Sequence, residues 1–156
     1  MTVSTGLTAS EQNAWRTFLR AHATIVRRLE AELLQEHDLP LASYDVLVQL
    51  SEAPDRRLRM TELADRVLLS RSGLTRLVDR LVREGLVARE AYAQDARGTL
   101  AVLTDAGLDR LRDAWPTHLR GVVEHVTGRL THRETVRLGA LLAKLVDDDA
   151  PGDIVP

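Results

Sequence analysis

The stretch 61–103 constrains the fold more than any other part of the chain, because helix signals, stops and strand signals follow one another at short, fixed intervals. Ser70 stands where a helix cap is needed, its hydroxyl placed to accept an otherwise unpaired backbone N–H, and the spacing predicts a helix over 71–84. Leu74, Leu77, Val78, Leu81 and Val82 fall on one face of that helix. Arg71, Ser72, Thr75, Arg76, Asp79, Arg80 and Arg83 fall on the other. Gly85 then supplies the left-handed residue that ends helices. Two short strands over 86–92 and 99–103 flank Ala93-Gln94-Asp95-Ala96-Arg97-Gly98, a polar turn whose Asp and Gly suit a hairpin. Upstream, Leu58 to Met60 reads as a stub of strand, Thr61 as the cap of a two-turn helix burying Leu63, Ala64 and Val67, and Leu68-Leu69 as the turn.

The flanks are helical. Thr8-Ala9-Ser10-Glu11 has the spacing of a capping box, and Trp15, Phe18, Leu19, His22, Val26, Leu29 and Leu33 form a stripe running to about residue 37. Leu39-Pro40 breaks it. A second helix over 42–53 carries Tyr44, Leu47, Val48 and Leu50 as far as Pro54. Thr104 caps a long helix whose Leu108, Leu111, Trp115, Leu119, Val122 and Val126 recur at helical 3-4-4-3-4 spacing, and Pro116 is expected to kink it. Thr131-His132-Arg133-Glu134 opens a last helix with Leu138, Leu141, Leu142 and Leu145. The expected fold is mostly α (α+β): a helix-turn-helix with a two-stranded β wing over 40–103, a helical region over 8–37 and 104–147, and a fraying tail over 148–156.

Composition removes several functions. Without cysteine there is no disulfide, thiol nucleophile or thiolate metal site. Aromatic residues make up 3%, which favours a Leu/Val/Ala helical core over a β-sandwich. No basic-then-apolar leader and no apolar run near the roughly 18 residues of a membrane span appear, so a cytoplasmic protein without a membrane partner is expected. No nucleophile motif, glycine-rich phosphate loop or paired-carboxylate signature points to an enzyme. The net charge is −2, yet between Pro54 and Thr99 ten arginines face seven acidic residues, so the middle is basic and the ends are acidic.

A basic helix followed by a hairpin has a physical use. The major groove of B-DNA, about 12 Å wide, admits one α-helix whose N-terminal side chains reach base edges. Arginine pairs bidentately with guanine, and Ser and Thr bond bases or phosphates. Arg97 at a hairpin tip suits the neighbouring minor groove or backbone. The alternative is a winged helix kept for protein contacts, its basic face merely solvated.

Two stretches resemble the MarR family of bacterial transcriptional regulators. One is Leu-Thr-Arg-Leu-Val-Asp-Arg-Leu-Val-Arg-Glu-Gly-Leu-Val at 74–87. The other runs Asp95-Ala-Arg97-Gly-Thr-Leu-Ala-Val-Leu103-Thr104-Asp-Ala-Gly107 and matches that family's wing signature, Asp-x-Arg followed by Leu-Thr-x-x-Gly. The resemblance implies a DNA-binding regulator, usually a repressor, acting as a homodimer on an inverted-repeat operator. It implies base contacts from Ser72, Thr75 and Arg76, backbone clamps from Ser70, Arg71 and Arg80, and a wing-tip contact from Arg97 with Asp95 orienting an arginine. Arg89 is a weaker DNA-contact candidate. Leu103 and Gly107 are read as core and close packing. The first and last two helices would form the dimer, and the apolar stripes there support this independently, being more than a DNA-binding unit of about 60 residues could cover.

The resemblance also implies a small aromatic or anionic effector, for which Trp15, Arg16, His22, Tyr44 and Trp115 are candidate pocket residues. Ordinary helix packing is the favoured account of Trp15, His22 and Trp115. No cofactor is expected, and no metal: His118 and His125 stand seven apart, about 10 Å along a helix, too far to chelate as an i, i+4 pair does.

Overall fold

The computed structural model describes residues 6–67, 69–92 and 98–146. Asp95 and Arg97, the wing-tip candidates, and the tail lie outside the described residues. The elements run α1 (Ala9–His37), α2 (Leu41–Glu52), a 3₁₀ turn (Pro54–Arg56), β1 (Arg57–Arg59), α3 (Met60–Arg66), α4 (Arg71–Arg83), β2 (Val87–Ala91), β3 (Thr99–Leu103), α5 (Asp105–His125), a second 3₁₀ turn (Thr127–Arg129) and α6 (His132–Ala143).

The caps form as their residue types dictate. Glu11 N donates to Thr8 Oγ1 at 3.3 Å while the Glu11 carboxylate accepts from Thr8 N at 2.7 Å, and Thr131 and Glu134 repeat the arrangement at α6. Asp38 closes α1 in the left-handed conformation, with φ 49°. At α3 the expected cap is displaced. The helix starts at Met60, not after Thr61, because Glu62 reaches back to accept from Arg59 N at 3.1 Å. The strand before it correspondingly covers 57–59. Helix α5 continues as helix through Pro116.

The sheet is three-stranded and antiparallel in the order β1-β3-β2. Beyond the expected two-stranded wing, β1 adds to the far edge of β3, pairing Arg57 with Val102 and Arg59 with Leu100. β2 pairs along β3 from Val87↔Leu103 to Ala91↔Thr99. This three-strand edge closes one side of a core built by α2, α3, α4 and the start of α5. Leu47, Leu50, Leu63, Leu74, Val78 and Leu81 are at its centre. Each leucine buried there contributes roughly 1.5–3 kcal/mol. Val82, expected on the same face, is 36% exposed, since the inward stripe of α4 passes through Leu74, Val78 and Leu81.

Two contacts lock α4 to the wing and to α5. Gly85, at φ 73°, turns the chain so that Leu86 N donates to Leu81 O at 2.9 Å. Thr104 Oγ1 then donates to Gly85 O at 2.7 Å and accepts from Gly107 N at 3.0 Å, so one hydroxyl joins the end of α4 to the start of α5.

Helices α1 and α5 pack along each other through a polar seam. Thr117 Oγ1 donates to Glu36 at 2.8 Å and lies 2.8 Å from His37 Nε2, Arg120 pairs with Glu36, and Arg110 donates to the His37 carbonyl. The outer surface is different. Trp15, Phe18, Leu19 and Val26 on α1, and Leu119 and Val123 on α5, are all exposed, and α6 buries none of its residues.

Candidate nucleic-acid interface

Helix α4 presents its polar face outward because its other face is taken by the core. Ser70 Oγ accepts from Gly73 N at 3.2 Å, which caps the helix and leaves the amides of its first turn directed outward beside Ser72. Arg71, Ser72, Thr75 and Arg76 are exposed together on this end. Arg71, Arg76 and Arg83 make no side-chain hydrogen bond or ion pair with the described residues, so their charge is available to a ligand. The Thr75 hydroxyl donates to Arg71 O at 2.9 Å, which directs its lone pairs outward as acceptors.

Two other arginines are engaged. Arg80 Nη2 donates to Ser43 Oγ at 2.5 Å, and Ser43 is buried on α2. Its Nε lies 3.8 Å from Glu84. The side chain is therefore drawn toward α2, so Arg80 braces the helix as well as lining its exposed edge. Arg89 Nη2 lies 3.0 Å from Asp79 Oδ1 and ties strand β2 to α4.

The wing base holds contacts that sequence inspection missed. Arg59 donates to Tyr92 Oη at 2.7 Å, with its guanidinium carbon 4.3 Å from the Tyr92 ring centroid. Arg57 pairs with Glu90 at 3.1 Å. A cleft of about 370 Å³ opens between Arg59, Thr75, Arg89 and Tyr92, at the junction of α4 and the wing. The alternation Arg57-Leu58-Arg59 was the available signal: with Leu58 inward, both arginines must face out.

The comparisons with known proteins agree with this architecture. The model of the MarR family matches residues 37–98. A MarR family transcriptional regulator from Streptomyces coelicolor, Sco3205, solved in complex with DNA, is 38% identical, covers 94% of this chain and 98% of its own, and superposes with a TM-score of 0.85. AbsC of the same organism, also a MarR family regulator, is 35% identical with a TM-score of 0.84, covering 91% of this chain and 95% of its own. The chain belongs to the MarR family. Among curated relatives, the HTH-type transcriptional repressor YetL of Bacillus subtilis is 32% identical over 105 residues, and the match spans 65% of this chain but only 63% of the relative.

This MarR-family chain also holds a cavity away from the exposed face of α4. Of about 710 Å³ and mostly apolar, it is bounded by α2, the end of α3 and α5. Tyr44 and Trp115 line it, with Asp45, Arg66, His118 and Val122. Trp15, Arg16 and His22 do not. They lie exposed on the N-terminal half of α1, where Trp15 stacks on Phe18, because that half extends beyond α2 and α5 of its own chain. The Tyr44 ring lies 4.5 Å from the His118 ring, and Tyr44 Oη is buried with no partner among the described residues. Burial pushes the Tyr44 phenol up and the His118 imidazole down, so both are neutral at neutral pH. Partial loss of water, helped by the nearby Glu30 charge, raises Asp45 to about 6.

Proposed function

We propose that this protein is a sequence-specific DNA-binding transcriptional regulator, acting as a homodimer on an inverted-repeat operator. The observation that carries the reading is the exposed group on α4. Arg71, Ser72, Thr75 and Arg76 stand together at the N-terminal end of a capped helix, and both arginines lack side-chain partners among the described residues. Arg76 is assigned to base edges with Ser72 and Thr75, and Ser70 and Arg71 to the phosphate backbone. Arg97, with Asp95 beside it, is assigned to the wing-tip contact.

The apolar residues left bare on α1, α5 and α6 support pairing of two chains over 8–37 and 104–147, with 40–103 as the DNA-binding unit. Patches of that extent on a soluble chain mark an interface. Twofold pairing sets two recognition helices about one DNA turn apart. The cavity beneath Tyr44 and Trp115 adjoins both α3 and α5, so an aromatic or anionic effector bound there would act on the link between DNA-binding unit and dimer helices.

A gel shift with the DNA flanking its own gene, run against an unrelated duplex, tests the reading. Specific retardation that weakens steeply with salt supports it, since phosphate contacts release counterions. Equal, salt-insensitive affinity for both duplexes overturns it in favour of a protein-interaction module.

A further inference from the structure

Away from the DNA-facing surface, Glu32 on α1 and Glu124 and His125 at the end of α5 come together, one ligand atom from each lying within 4.8 Å of the others. The His125 side chain is 6% exposed and that of Glu32 28%. His125 Nε2 stands 2.5 Å from Glu32 Oε1, a separation that a shared proton explains. Yet His125 Nδ1 and Glu32 Oε2 are both buried with no hydrogen-bond partner among the described residues. Histidine nitrogen is the commonest side-chain metal ligand, and Nε2 is the nitrogen turned toward Glu32.

We propose that Glu32, Glu124 and His125 form a binding site for a divalent first-row transition ion of the zinc class, clamping α1 to α5. Imidazole nitrogen with two carboxylates suits such ions, whereas calcium and magnesium favour all-oxygen sets. Three protein ligands leave a fourth position to water, as in open sites of this type. Little rearrangement is needed. At tetrahedral angles two ligand atoms about 2.0–2.2 Å from one ion stand roughly 3.4 Å apart, so Glu32 and His125 need only separate by about an ångström from their 2.5 Å contact to admit it. The surroundings favour a cation. Two carboxylates and the negative end of the α5 dipole meet at His125; Arg120, paired with Glu36, lies close enough to feel the Glu32 and Glu124 charges and offsets part of them, and Arg129 is held by the Glu124 carbonyl. The site is beyond the reach of histidine spacing alone, because Glu32 is 93 residues from His125.

The test is metal binding itself, so it stands apart from the DNA-binding reading. The full chain, stripped with a chelator, is titrated with Co²⁺ while its visible ligand-field bands are followed, and with Zn²⁺ in competition with a chromophoric chelator. One ion per chain is expected, with Zn²⁺ raising the melting temperature. Glu124→Gln, at an exposed position, is expected to weaken binding at least tenfold while the metal-free protein melts at the wild-type temperature. His125→Asn is expected to abolish the Co²⁺ bands. Absence of stoichiometric binding, or wild-type affinity in Glu124→Gln, would show an ion pair and nothing more. If His125→Asn fails to fold, Glu124→Gln alone decides.

Discussion

Arg89 Nη2 and Asp79 Oδ1 lie 3.0 Å apart, joining the first wing strand to the helix assigned to the major groove. Their side chains are 35% and 52% exposed, so the pair is worth at most about 1 kcal/mol of stability. Its larger effect is on charge, since Asp79 masks one arginine on the surface that would meet phosphates. Asp79→Asn is therefore expected to bind unrelated duplex several-fold more tightly at low salt, with a salt slope steeper by up to about one. Fluorescence anisotropy across a salt series measures both quantities, and unchanged or weaker binding would remove the masking role.

Arg76 and Arg80 share one helix face but should respond differently to truncation. Arg76 has no side-chain partner among the described residues, so Arg76→Ala is expected to leave melting unchanged and to cost about 1–3 kcal/mol of operator binding at a single base pair. Arg80→Ala instead strands the buried Ser43 hydroxyl and should cost roughly 1 kcal/mol of stability, a melting shift of about 2–4 °C. Adding Ser43→Ala should recover part of that loss. Thermal melts of the three variants beside binding isotherms separate the roles, and a destabilised Arg76→Ala would contradict the assignment.

Much of the fold was legible because its signals are local. Thr8, Ser70, Thr104 and Thr131 each cap a helix with a hydroxyl, and Gly85 stops one, so element order followed from short windows. The pairing of β1 with β3 was not legible, because three residues of strand carry no information about a partner some 45 positions away. The same limit governs the candidate sites. The polar face of α4 follows from helical period, but the partner that draws Arg80 inward sits on α2, 37 residues earlier. The stripe on α1 shows that Trp15 and His22 share a face without showing what covers it. Of the five pocket candidates only Tyr44 and Trp115, on helices that cross, reach the same cavity.

Gly107 is the position in the wing signature with the clearest steric role. A Cβ there would collide with the Leu86 carbonyl oxygen and lie 2.7 Å from Leu103 Cδ1, and Gly107 N also donates to Thr104. Backbone on one side leaves no flexible group to yield. Gly107→Ala is expected to destabilise the chain by about 1–3 kcal/mol or more, visible as a lower urea midpoint with an unchanged slope. Gly139→Ala, whose Cβ would meet nothing within 4 Å, is the matched control and should melt at or slightly above wild type. Equal stability in the two variants would refute the close-packing account.

Asp45 gives the cavity a pH signature whose sign can be worked out. Its carboxyl is raised from 3.8 to about 6 by partial loss of water and, secondarily, by Glu30. The folded state thus holds the proton more tightly than the unfolded chain. The stability this supplies is complete below about pH 4 and is lost as pH rises through about 6. Above that, folding forces a charged carboxylate against an apolar wall. Asp45→Asn removes the penalty, so it is expected to stabilise the protein at pH 8 and to have little effect at pH 4.5. The residue remains open to solvent on one side, which screens the charge and holds the gain to about 1 kcal/mol. Urea titrations of wild type and variant at the two pH values provide the comparison. A gain of equal size at both would mean that the asparagine acts through packing or helix propensity rather than through the charge of Asp45.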